Sequence, residues 1–166
     1  MKQRSSLAVA VSLTLFAAGS SIATGAHEVA VKKQRIAIEG TFSSAGGAFK
    51  LIPLTPGPLK KDSGRFTTTF TGAPSNPPPP IVRNGQTVYQ GGSATDQMTG
   101  KHGTLRVSAA HIEGVSAGGA YAIYTGTSTF GRGTGVYAGL GGGGTFVAVI
   151  LPGQDRFRYE GWVRAG

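Results

Sequence analysis

Beyond the first 28 residues, apolar and polar side chains alternate with a period of two, the pattern of strands that bury one face. Spacing at three and four residues, which would mark helices, is not sustained anywhere in that stretch. The alternation is clear at the end of the chain, where Phe157, Tyr159 and Val163 alternate with Arg156, Arg158, Glu160 and Arg164. Trp162 falls on the charged face. It is explained either by a cation–π contact with Arg158 or Arg164 or by a bulge near Gly161. Similar runs rich in Val, Ile, Thr, Phe or Tyr cover residues 29–42, 48–54, 64–71, 86–90, 104–113, 120–130 and 145–151. With the last segment they make about eight predicted strands.

Turn residues separate these runs: Pro56-Gly57-Pro58, Asn84-Gly85, Gly118-Gly119, the four glycines 141–144 and Pro152-Gly153. Asn84-Gly85, between Ile81-Val82 and Val88-Tyr89, predicts a type I′ hairpin, whose central residues both need positive φ. Residues 73–80, Ala-Pro-Ser-Asn-Pro-Pro-Pro-Pro, lack the N–H groups a ladder requires and predict an extended loop, read as a stiff linker or as a ligand for a proline-binding groove. Antiparallel strands with short links close into a barrel or stack as a β-sandwich. Only 14% of residues are charged, so little is available to blunt open sheet edges. Closure removes the edges, which makes an all-β antiparallel closed barrel of about eight strands the expectation and a sandwich the alternative.

Residues 1–26 follow a different pattern. Lys2 and Arg4 precede an apolar run from Leu7 to Ala18, interrupted only by Ser12 and Thr14, and small residues follow at Ser21-Ile22-Ala23 and Thr24-Gly25-Ala26. The run is too short to span a bilayer comfortably and has the layout of a secretory signal, with cleavage expected after Ala26. The expectation is therefore a secreted or envelope-located protein whose residues 27–166 form a single barrel domain. The absence of Cys excludes disulfides, thiol catalysis and Cys-based zinc sites.

Sixteen Lys and Arg against seven Asp and Glu make the chain basic. The excess is scattered over Lys32-Lys33-Gln34-Arg35, Lys60-Lys61 and Arg156, Arg158 and Arg164. That distribution fits attraction to an anionic envelope polymer or lipid headgroups, or solubility alone. Specific nucleic-acid recognition would need one basic face interleaved with exposed aromatics.

Candidate chemistry is sparse. Alternation puts Leu105, Val107, Ala109, His111 and Glu113 on one strand face, so His111 and Glu113 would sit near a barrel's mouth. A carboxylate there could tune the imidazole as a general base, or the pair is simply a strand end reaching solvent at Gly114. Phe66 and Phe70 share a face, while Tyr121 and Tyr124 take opposite faces, so at most one of the two reaches a lumen. These aromatics would line a pocket for a flat apolar ligand or fill a core. His27, His102 and His111 lie in separate segments without ligand spacing, so neither a metal nor a cofactor is expected. The Gly-rich stretch is followed by a strand-like run rather than a helix, which argues against a phosphate-binding loop.

Residues 131–144, Gly-Arg-Gly-Thr-Gly-Val-Tyr-Ala-Gly-Leu-Gly-Gly-Gly-Gly, with the strand that follows, resemble the late segment of the allene oxide cyclase and dirigent barrels. In those families a G-T-G-x-[YF]-x-G stretch leads into a Gly-rich turn and a further strand. Ile38-Glu39-Gly40-Thr41-Phe42 and Tyr159-Glu160-Gly161 extend the similarity. The chain also resembles a group of exported actinobacterial proteins through Leu54-Thr55-Pro56-Gly57-Pro58-Leu59-Lys60 and Thr99-Gly100-Lys101-His102-Gly103-Thr104-Leu105. The resemblance implies an eight-stranded antiparallel barrel. Dirigent and cyclase barrels commonly form trimers, which adds a homo-oligomer to the partners considered. The resemblance carries over no catalytic residue, because the pocket residues of those families fall on no matching motif here. Gly133, Gly135 and Gly139 are read as shaping the backbone turn into the next strand.

Three functions stay open. The first is a non-enzymatic exported barrel that binds a small apolar ligand or an envelope surface. The second is a cyclase/isomerase-type or dirigent-type enzyme that uses the lumen, and the third is a structural, oligomer-forming barrel. The first needs an open lumen, the second a polar group aimed into it, and the third a filled one.

Overall fold

The computed structural model describes residues 33–43, 46–71, 80–117 and 121–164. The expected signal, most of the proline-rich loop and Gly118-Gly119 lie outside the described residues. The described chain runs β1 (Lys33–Ser43), β2 (Gly46–Pro53), β3 (Asp62–Phe70), β4 (Ile81–Arg83), β5 (Gln86–Gln90), β6 (Ala94–Gly100), β7 (Gly103–Ala117), β8 (Tyr121–Gly131), a short 3-10 turn (Gly135–Tyr137), β9 (Gly141–Ile150) and β10 (Asp155–Arg164).

Eight strands close an antiparallel barrel in the order β7-β6-β3-β2-β1-β10-β9-β8, with β8 returning to β7. The architecture is the barrel and not the sandwich. β4 and β5 form the expected Asn84-Gly85 hairpin, with both turn residues at positive φ, 49° and 74°. The hairpin stands outside the barrel count: β5 pairs with residues 113–116 of β7, continuing the edge where β6 has ended.

Three expectations are corrected. β6, Ala-Thr-Asp-Gln-Met-Thr-Gly, lies outside the predicted strands because Thr95 and Thr99 are its only β-branched residues and it has no aromatic; it is a full barrel strand held on both edges. The four glycines 141–144 do not form a turn but open β9, paired with β8 and β10 throughout. A side chain at Gly142 would run into the Trp162 carbonyl, so the backbones approach too closely there for anything larger. Trp162 needs no bulge: the register of β10 runs unbroken through Gly161, and Trp162 is 48% exposed on the outer wall.

The barrel's interior divides along its axis. At one end Ile36, Ile38, Leu51, Met98, Leu105, Val107 and Val163 are fully buried and fill the lumen. Burying side chains of this size contributes about 1.5–3 kcal/mol each before the entropy of ordering them is counted. Two loops plug that end. Leu59 enters from the β2–β3 loop, held by Gln34, which accepts from the Leu59 N–H at 2.9 Å and donates to the carbonyls of Leu59 and Thr55 at 3.0 and 3.1 Å. Tyr137 and Leu140 enter from the β8–β9 loop, both buried. Residues 54–60, 99–105 and the first part of 131–144 all lie at this plugged end. Their positions fit a role in closing the barrel.

Candidate functional site

At the other end the lumen is open. Phe42 of β1, Phe66 and Phe70 of β3, Tyr124 of β8, Phe146 of β9 and Phe157 and Tyr159 of β10 surround a cavity of about 360 Å³. Ile112 and Ile150 also line it, and the space is left where small residues face it: Ala94 on β6, Ala148 on β9 and Gly91-Gly92 in the loop before β6. The rings brace one another. Phe66 meets Phe157 edge-on at 5.0 Å between centroids, and Phe146 stacks on Tyr159 at 4.9 Å. Such pairs add about 0.5–1.5 kcal/mol beyond the area they bury and hold the wall rigid. Phe70, 65% exposed, stands at the rim.

The floor carries one carboxylate. Asp96 projects inward from β6, between Ala94 at the mouth and the fully buried Met98 below, and is only 4% exposed. Its Oδ1 accepts from the Thr68 hydroxyl at 2.9 Å and its Oδ2 from the Tyr159 hydroxyl at 2.8 Å. Burial raises its pKa, and the two hydroxyl bonds offset only part of that. The Tyr159 phenol is also pushed up, first by burial and then by the neighbouring carboxylate. Among the described residues no Lys, Arg or His forms an ion pair with Asp96.

A second buried carboxylate shows what structural use of the same chemistry looks like. Asp62 at the plugged end accepts from the Tyr137 hydroxyl at 2.7 Å and from the backbone N–H groups of Ser63, Lys101 and His102 at 2.7–3.2 Å. Burial would raise its pKa, but the four donors outweigh it and hold the carboxyl below its ordinary value. It ties the β6–β7 turn to the plug, and the pocket of about 440 Å³ that it borders is lined by Lys50, Lys61 and Lys101 rather than by aromatic rings.

The sequence candidates fall as follows. Phe66, Phe70 and Tyr124 line the cavity, whereas Tyr121 sits on the opposite face of β8, its hydroxyl 3.4 Å from Gln86 of the hairpin. The face shared by Leu105, Val107, Ala109, His111 and Glu113 does not survive: the β7–β8 register shifts between Ala110 and Glu113, so the inward positions pass from Ala109 to Ile112 and Gly114. Glu113 is exposed as a result. The side chain of His111 lies outside what the structure describes. Gly135 and Gly139 have φ of 61° and 69° in the plug, and a side chain at Gly133 would collide with the Thr104 carbonyl and Tyr137.

The sequence pattern marks neither Asp96 nor Tyr159 as a site residue. Tyr159 falls on the dry face of the last strand, but its partner stands in β6, which the strand propensities do not mark. The available signal was the alternation of Ala94, Asp96 and Met98 with Thr95, Gln97 and Thr99, in which one acid replaces an apolar residue. Outside the barrel, Arg158 bridges Glu160 and Glu39 at 2.8 Å each, and Arg35 also contacts Glu160. These exposed pairs belong to the wall and not to the cavity.

No family model, curated protein or solved structure matches the chain.

Proposed function

We propose that the protein is an exported barrel that binds a small, largely apolar molecule through the open end of its lumen. One observation carries this reading: half of the interior is packed and plugged, while the other half is an aromatic-walled cavity of about 360 Å³ with a single carboxylate group at its floor. Size, apolar lining and few polar groups are what a small-molecule site requires. A barrel serving only as scaffold gains nothing from leaving that volume unfilled, since packing it would add stability. The test is titration with a neutral fluorescent probe such as N-phenylnaphthylamine. Saturable enhancement is expected, and its absence for probes of any size up to the cavity's would overturn the proposal.

A second reading, an enzyme of the cyclase or isomerase type, draws on Asp96. The lumen has the inward-aimed polar group that such chemistry needs, and Tyr159 fixes its position. In this reading Asp96 and Tyr159 replace His111 and Glu113 as the residues to substitute first.

Export rests on residues 1–26. Protein recovered from the culture fluid is expected to begin at or near His27, and a recovered form retaining Met1 would refute it.

A further inference from the structure

We infer that the molecule this cavity takes is an organic amine, bound with its protonated nitrogen against Asp96 and its hydrocarbon body between the rings of Phe66, Phe146 and Phe157. The inference rests on the binding reading above and narrows it to a chemical class. Three observations carry it.

The first is the unbalanced charge. A carboxylate only 4% exposed is costly unless something compensates it, and here the compensation from within the described residues is two neutral hydroxyls. Asp62 shows that this barrel can satisfy a buried carboxylate with four donors where the purpose is structural. Asp96 has half that number and opens onto the cavity, which leaves lone pairs free for a donor that enters from outside.

The second is the nature of the walls. Aromatic faces carry negative potential and attract a cation within about 6 Å of the ring centroid. Tyr159 lies beside the carboxylate, stacked on Phe146 and 5.6 Å from Phe157, so the same rings that bury a hydrocarbon body also favour positive charge near the floor. The third is the distribution of positive charge in the protein. The chain carries sixteen Lys and Arg, but among the described residues none lines the cavity. A site for an anionic or acidic ligand would place at least one of them there. Among the described residues Asp96 is the only carboxylate on the cavity wall, and the other ionisable groups there are the phenols of Tyr124 and Tyr159.

The experiment compares naphthylethylamine, naphthylethanol and ethylnaphthalene by calorimetry on the purified protein, at neutral pH and in steps toward pH 4. The three share a body and differ at one terminal group, and the amine stays protonated throughout because alkylamines titrate near the lysine value of about 10.4. The amine should bind at least about tenfold tighter than the alcohol at neutral pH, as expected for a charge-assisted hydrogen bond in a desolvated site. That advantage should shrink as Asp96 takes up a proton. Asp96→Asn should abolish it while leaving the alcohol within about threefold, since the cavity itself is unchanged. Should that variant fail to fold, the pH series on the unaltered protein decides the matter alone.

Equal binding of all three probes at every pH would overturn the amine assignment while leaving the cavity reading intact. An alcohol that outbinds the amine and tightens on acidification would also overturn it, showing a protonated Asp96 that donates to a neutral acceptor. Failure of all three to bind would overturn both readings together.

Discussion

Tyr159 donates its phenolic hydrogen to Asp96 at 2.8 Å straight across the barrel. Their strands, β10 and β6, are separated by three strands whichever way the wall is followed. The bond therefore spans the lumen and forms a floor. Below it, Tyr137 makes the equivalent bond to Asp62 at 2.7 Å. The two tyrosine–aspartate pairs have opposite electrostatic outcomes because Asp62 also receives three backbone N–H groups, while Asp96 receives one further hydroxyl. Each pair makes its own prediction.

Asp96 should cost stability at neutral pH. Its folded pKa lies above the unfolded value of about 3.9, so between those two values the folded state binds more protons, and stability falls as pH rises through that window. Asp96→Asn is expected to raise the melting temperature at pH 7 and to lose that advantage toward pH 4. Thermal denaturation at the two pH values checks this. A variant less stable than the parent at pH 7 would mean that the ionised carboxylate is structural.

Asp62 should behave in the opposite sense. Its folded pKa is depressed, so its contribution is fully present above the unfolded value of about 3.9 and disappears as pH falls through the folded one. Tyr137→Phe removes one donor to a charged acceptor and is expected to cost about 1.5–3 kcal/mol in urea unfolding at pH 7. The loss should be smaller in acid, where Asp62 is protonated.

The plug glycines should be sensitive to alanine. Gly139→Ala must place a side chain at φ of 69°, at a cost of about 1 kcal/mol or more. Gly135→Ala should cost more, because at φ of 61° its new Cβ would also collide with the His102 carbonyl. Both are expected to lower the denaturant midpoint while leaving probe affinity unchanged, since the plug lies at the far end of the lumen. Lost binding at full stability would reverse that assignment.

Filling the cavity should abolish binding without unfolding the barrel. Ala148 points into the open half opposite Phe157 on β10 and Tyr124 on β8, so Ala148→Phe occupies the volume a ligand would take. N-phenylnaphthylamine affinity is expected to fall at least about tenfold, with the β-type circular dichroism spectrum retained. Unchanged affinity would place the probe on the outer wall.

The fold was legible in the chain because strand alternation and turn residues are local properties. Residues 86–90, the Asn84-Gly85 hairpin and the dry face of Phe157, Tyr159 and Val163 stand in the structure as the alternation and turn chemistry require. The candidate site was much less legible. Phe66, Phe70 and one of Tyr121 and Tyr124 could be named as inward aromatics, but which tyrosine it is, and whether these rings enclose space or fill it, depends on residues of other strands such as Ala94 and Ala148. The bulge in β7 reversed the facing of Glu113 through one extra residue that no local pattern announces. Asp96 was hidden because a polar residue on a buried face breaks the very alternation used to find the strand. Local periodicity thus determined that this chain makes a series of strands with one dry face. Only closure of the barrel, which sets residues from diametrically opposite strands within hydrogen-bonding distance, decided where its cavity lies and that Asp96 and Tyr159 meet at its floor.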